Sequence, residues 1–170
     1  MNQLNTLENK WDHRFLEMAK MVASWSKDPS TKCGAVIVRP DRTVASIGFN
    51  GFPARIKDDE SVYADRPAKY SRIIHAEANA IRHAREQIDG YTVYVWPMPP
   101  CDRCASNLIS YDIARVVCPA APPEQQSRWA DALKQTEAMF QEAGVVFDVL
   151  VLPELTEGEM PKGTLTGSLA

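Results

Sequence analysis

Two short segments of this chain make chemical sense only if the fold brings them together: His75-Ala76-Glu77, and Pro100-Cys101-Asp102-Arg103-Cys104 further along. Cys101 and Cys104, at i and i+3, share one face of a helical first turn and can hold one metal ion between them. Pro99 and Pro100 suit the start of a helix, and the partial positive charge at a helix N-terminus favours thiolates. One neutral imidazole and two thiolates balance the charge of Zn²⁺ and leave its fourth position to water. His75 and Glu77, at i and i+2, do not face each other along a helix and can converge only at a helix tip. The spacing therefore predicts two helix N-termini aimed at one ion, with His75 at or next to the first.

The division of labour follows from the residue types. His75, Cys101 and Cys104 are the candidate zinc ligands. Zinc lowers the pKa of a coordinated water to about 7. Glu77 is free to move protons: it can take one from the water, hand it to the substrate, and later protonate a leaving group. A carboxylate that serves first as base and then as acid needs a pKa near the operating pH. Two other readings of Cys-x-x-Cys stand beside this one. A redox pair leaves His75-Ala-Glu77 unexplained. A structural four-cysteine site would need Cys33 and Cys118, which do not form a second close pair and read as small buried hydrophobes.

The 170 residues, 45% hydrophobic and 24% charged, suit one soluble domain over 1–152 with a loosely held tail over 153–170. A net charge of −3 provides no general attraction to nucleic acid or to an anionic membrane. Met1 to Lys10 is polar, without the apolar core of a secretion signal, and no run approaches the roughly 20 apolar residues that span a bilayer. A cytoplasmic protein is expected. Trp11, Phe15, Met18, Val22 and Trp25 form one apolar stripe, predicting a helix over 12–26 that Asp28-Pro29-Ser30 breaks. Strands are predicted over 34–38 and 44–49, joined as a hairpin at Pro40-Asp41-Arg42. Residues 51–72 read as a long loop, of the kind that is more often functional than idle. Then follow a helix over 75–87, a strand over 92–95, a helix from Cys101, a strand over 115–118, a helix over 126–143 stopped by Gly144, and a strand over 145–152. The order implies an α/β fold, a three-layer α/β/α sandwich around a five-stranded mixed sheet.

With these segments in view, the chain resembles the deoxycytidylate deaminase branch of the cytidine deaminase superfamily, over about residues 12–152. H-x-E followed by P-C-x-x-C is the signature of zinc nucleobase deaminases. His75-Ala-Glu-Ala-Asn-Ala-Ile81 is similar to the branch's zinc-histidine helix. Ser26-Lys-Asp-Pro-Ser-Thr-Lys-Cys-Gly-Ala-Val-Ile-Val38 resembles its first strand and approach. Gly48-Phe-Asn-Gly-Phe-Pro53 resembles its Gly-Tyr-Asn-Gly-x-Pro segment. The resemblance implies hydrolysis of dCMP to dUMP, one Zn²⁺ per subunit, a homo-oligomer that is often a hexamer, and regulation by dCTP and dTTP, which would bring Mg²⁺ with the triphosphate. It also implies that Asn50 hydrogen-bonds the sugar and that the backbone N–H of Ala76 holds the pyrimidine carbonyl.

A nucleotide phosphate must meet cations or helix N–H groups. Ser26, Lys27, Arg55, Arg66, Lys69, Arg72 and Arg85 are the candidates for phosphate or effector contacts, and the sequence does not choose among them. Some positions depart from the branch. Phe49 replaces the tyrosine of a segment tied to triphosphate regulation, Cys33 stands where valine is usual, and Trp96-Pro97-Met98-Pro99 replaces Thr-Leu-x-Pro before the first cysteine. No Cys or His lies between Gly51 and Ile74, so the second, structural zinc of some phage members is not expected. Four alternatives remain open: a modified dCMP, a free nucleoside or base, a tRNA adenosine, or an idle zinc protein that binds nucleotides. The charge and the lack of a basic C-terminal helix speak against tRNA, and Glu77 speaks against an idle site.

Overall fold

Gly34–Val38 contains no polar residue, and all five positions are buried, as expected of a strand covered on both faces. In a computed structural model that describes residues 10–121 and 123–150, this strand, β1, pairs antiparallel with β2 (Val44–Phe49) on one side and β3 (Thr92–Trp96) on the other. β4 (Arg115–Pro119) and β5 (Val146–Leu150) extend the sheet in parallel, in the order β2-β1-β3-β4-β5. The register sorts the side chains into two faces. The row Ser46, Ile37, Val93, Val116 and Phe147 faces α4 (Ala76–His83), α5 (Asp102–Ser110) and α6 (Pro123–Ala143). The row Ile47, Val36, Tyr94 and Val117 faces α1 (Lys10–Ala23). This is the mixed five-stranded α/β sandwich expected. No helix among the described residues is long and apolar enough to cross a membrane.

Asp12 of α1 is only 4% exposed, yet it lies on the sheet-facing side. It accepts hydrogen bonds from the Tyr94 hydroxyl at 2.7 Å and from both terminal nitrogens of Arg115 at 2.8 and 2.9 Å. Arg115 also donates to Asp148 of β5 at 2.8 Å, so one guanidinium joins α1, β4 and β5. These acids hold the Arg115 pKa above its ordinary value. Removing one partner of such a network leaves a buried polar remainder, so Asp12→Ala should cost about 3 kcal/mol, at the low end for broken buried pairs because Arg115 keeps Asp148. Urea denaturation measures the loss directly.

Gly48 is a position where a side chain has no room. A Cβ there would sit 2.3 Å from the Ala80 nitrogen and 2.4 Å from the Ala76 carbonyl oxygen, both backbone atoms of α4. The motif Gly48-Phe-Asn-Gly is thus tied to the site through packing: its first glycine lets the helix bearing His75 and Glu77 lie against β2. Ser46 Oγ donates to the Ala80 carbonyl at 2.7 Å and Asn79 Nδ2 to the Phe49 carbonyl at 2.8 Å, holding that contact. Gly48→Ala has no flexible side chain to displace, so a loss of about 3 kcal/mol or more is expected, at the upper end of overpacking costs. Zinc content and melting temperature, measured together, should both fall.

Several element boundaries differ from expectation, among them that α1 starts at Lys10 and α6 at Pro123. Residues 51–72 are not a plain loop, because they form α2 (Glu60–Ala64) and α3 (Arg66–Arg72). The aspartates that read as loop residues are caps: the Asp59 carboxylate accepts from the Ser61 N–H and Asp65 from the Ala68 N–H, with Pro67 in the first turn of α3. α1 ends at Ala23, and its buried face runs through Phe15, Leu16, Ala19, Val22 and Ala23, leaving Trp25 49% exposed with its ring nearly perpendicular to that of Phe49. α4 ends at His83, because Ala84 turns extended and the chain drops Ile88 into the core. β5 begins at Val146; residues 151–152 of the expected strand and the expected tail lie outside the described residues.

Candidate active site

His75 is the N-cap of α4 and Cys101 the N-cap of α5, both with extended backbone, and neither side chain caps its own helix. Two helix tips therefore meet, as the i, i+2 spacing required. His75 Nδ1 lies 3.5 Å from Cys101 Sγ and 3.4 Å from Cys104 Sγ, and the three ligand atoms all fall within 4.8 Å of one another. Zn–S and Zn–N bonds of about 2.3 and 2.0–2.1 Å at tetrahedral angles put sulfur and nitrogen about 3.6 Å apart, so the donor set and its spacing fit a zinc ion bound through Nδ1. Among the described residues, this is the group of His, Cys, Asp or Glu side chains that could hold a metal. Thr136, fully buried on α6, donates to the Pro100 carbonyl at 3.0 Å and steadies the approach to Cys101.

The electrostatics follow from burial and mutual contact. A hydrogen bond from Cys104 holds the Cys101 thiol pKa down to about 4, and the same contact pushes Cys104 up. The bond with Cys101 raises the His75 imidazole. Glu77, in the first turn of α4 and 5% exposed, is raised above the ordinary carboxylate range, chiefly by burial. Cys33 and Cys118 are pushed well up by burial, which makes them inert thiols rather than ligands or a redox pair.

A cavity of about 300 Å³ opens over this centre, with His75, Glu77, Cys101 and Cys33 among its lining. Asn50 lines it too, but its amide is largely engaged. Its Oδ1 accepts from the Cys33 N–H at 2.7 Å, and its Nδ2 donates to the Thr31 carbonyl at 2.9 Å and to Asp28 at 3.3 Å. One Oδ1 lone pair remains for a ligand. Ala76 is buried and does not itself line the cavity; as the first residue of α4, its N–H has no acceptor within the helix.

Of the candidate phosphate contacts, the structure brings two to the cavity, Arg66 and Lys69. Ser26 is buried, with its hydroxyl donating to the Asn50 carbonyl at 2.8 Å. Lys27 pairs with Asp58 at 2.7 Å outside the lining, and Arg55, Arg72 and Arg85 are exposed and also outside it. The sequence reading missed Arg128 and Trp129 of α6 and Tyr63 and Tyr70 of the 51–72 segment, all of which line the cavity. Arg128 lies over the Trp129 ring at 5.3 Å and the Tyr70 ring at 6.0 Å, and donates to the Tyr70 hydroxyl. No local signal marks Arg128, which lies more than 20 residues beyond Cys104, the end of the last motif. Trp96, which departs from the branch pattern, also lines the wall, together with Met98 and Pro99.

Residues 9–120 match the family described as the cytidine and deoxycytidylate deaminase zinc-binding region. The chain belongs to that family. This deaminase is 42% identical over 137 residues to the "uncharacterized deaminase in luxG 3′ region" of Aliivibrio fischeri, covering 81% of this chain and 91% of the relative. It is 32% identical over 146 residues to the mouse deoxycytidylate deaminase, covering 81% and 78%. Among solved structures, the dCMP deaminase of cyanophage S-TIM5 in complex with dCMP and dUMP has a TM-score of 0.66 over 84% of this chain and 98% of that one; at 19% identity it shows a shared fold. The chain is thus a hydrolase of the deaminase class, in a family that binds zinc.

Proposed function

We propose that this deaminase converts dCMP to dUMP with release of ammonia. The observation that carries the reading is the placement of buried Glu77 beside the His75, Cys101 and Cys104 donors, with the cations Arg66 and Arg128 lining the same cavity. The similarity to proteins named deoxycytidylate deaminase supports this substrate. His75, Cys101 and Cys104 would hold Zn²⁺, which supplies Lewis acidity that makes water deprotonable near neutral pH. Glu77 takes a proton from the attacking water and passes it to the ring nitrogen beside the amine-bearing carbon. Oxygen adds to that carbon, the C–N bond breaks, and Glu77 helps to protonate the departing ammonia. The Ala76 N–H holds the pyrimidine carbonyl, and the spare Oδ1 lone pair of Asn50 accepts from a sugar hydroxyl. Arg66 and Arg128 take the phosphate through charge-assisted hydrogen bonds.

Ser26, Lys27, Arg55, Arg72 and Arg85 then remain as candidates for effector contacts only. In the same reading, one catalytic domain over 1–152 forms a cytoplasmic homo-oligomer open to dCTP and dTTP. Phe49 lacks the hydroxyl of the branch's tyrosine but presents an exposed ring that can stack. The test follows ultraviolet absorbance of zinc-loaded protein with dCMP, dCTP, deoxycytidine and a tRNA anticodon stem-loop in parallel. Loss of the cytosine chromophore with dCMP is the expected result. Inosine formation in the stem-loop alone would overturn the substrate class.

A further inference from the structure

The strongest observation outside the catalytic centre is an ion pair buried in the cavity wall. Lys69 of α3 and Asp28 are 7% and 2% exposed, with the lysine Nζ 2.8 and 2.7 Å from the two carboxylate oxygens. Asp28 Oδ1 also accepts from the Ser30 N–H at 2.8 Å, and Oδ2 from Asn50 Nδ2 at 3.3 Å. A single carboxylate thus shapes the 28–31 turn and orients Asn50. A buried charge needs a partner, and the 51–72 segment supplies it. The other charged side chains lining this cavity are Glu60, Glu77, Arg66 and Arg128, with the metal donors His75 and Cys101 also in its lining.

We propose that Lys69 is a positioning and specificity-determining residue: it neutralises Asp28 so that an anionic nucleotide can enter a cavity whose wall is built on a carboxylate. Lys69 does this through Asp28, not by holding the phosphate. Without the ammonium, Asp28 stays buried and uncompensated in the space the substrate must share, and repulsion in a poorly solvated site acts on a charged ligand far more than on a neutral one. The inference rests on the nucleotide reading above and adds the residue that makes the wall compatible with it.

The test compares wild type, Lys69→Met and the double variant Asp28→Asn/Lys69→Met, all zinc-loaded. The readouts are kcat and KM for dCMP, the inhibition constant of uncharged deoxyuridine, and the melting temperature. Lys69→Met should raise KM for dCMP about 100-fold, the scale of one unpaired buried charge, while weakening deoxyuridine less than about 10-fold. The double variant should return KM to within about 10-fold of wild type, the remainder reflecting the lost contact to Asn50. A purely structural lysine would shift both ligands equally, and a lysine that grips phosphate would leave the double variant as impaired as the single one; either result overturns the proposal. If Lys69→Met does not fold, Lys69→Gln, which keeps a hydrogen-bond donor toward Asp28 but not the charge, takes its place in the same comparison. Wild type inactive on dCMP would overturn the substrate reading first, and this inference with it.

Discussion

Glu77→Gln should leave a folded, zinc-loaded protein whose kcat is about 10²–10⁴-fold lower, the range that positioned proton transfer contributes. The amide has nearly the same shape but cannot take or give up the proton that must move twice in one turnover. Stability should not fall, because the replaced group is a carboxyl 5% exposed whose charged form burial already disfavours. That combination makes the experiment discriminating. Zinc content and melting temperature serve as controls, and turnover of dCMP is the readout. Turnover within a few-fold of wild type would remove Glu77 from the proton-transfer role, and lost zinc would make it a structural support of the ligands instead.

Cys104→Ser should lose both metal and stability. Cys104 is buried in the first turn of α5, and its sulfur lies 3.4 Å from His75 Nδ1. A hydroxyl is a far poorer zinc ligand than a thiolate, and metal that binds only the folded state stabilises it by mass action. At about 1,000 times the dissociation constant that linkage is worth about 4 kcal/mol, so a drop of roughly 10 °C in melting temperature is expected for a chain of this size. Chelator should lower the wild-type melting temperature by a similar amount and the variant's hardly at all. Full zinc occupancy of Cys104→Ser, measured by metal analysis, would break the ligand assignment.

The legibility of the chain was uneven for physical reasons. His75, Glu77, Cys101 and Cys104 were readable because coordination chemistry is local: donor type, charge and i, i+3 spacing admit few arrangements, and the i, i+2 step from His75 to Glu77 demanded a helix tip. The sheet was readable because β1 is a continuous apolar run and its neighbours follow at short spacings. Residues 51–72 read as a loop because aspartate and proline suit loops and helix starts alike; Asp59 and Asp65 become caps of α2 and α3 only because the backbone after each is helical. Gly48 could be recognised as part of a motif, but not as the point where α4 touches β2.

What the sequence determined by itself is the candidate chemistry: three donors, His75, Cys101 and Cys104, that could hold one metal ion, the carboxylate of Glu77 beside them, and the alternating order of strands and helices. Tertiary structure alone decided which cations line the cavity. Lys69 reads as one surface charge among seven candidates, yet it lies buried against Asp28, 41 residues away in the chain. Arg128, which no motif marks, lines the cavity beside Tyr70, 58 residues distant. The donor types and their short spacings are fixed within each helix tip, whereas the meeting of the two tips and the walls of the cavity are set by long-range packing that no local pattern encodes.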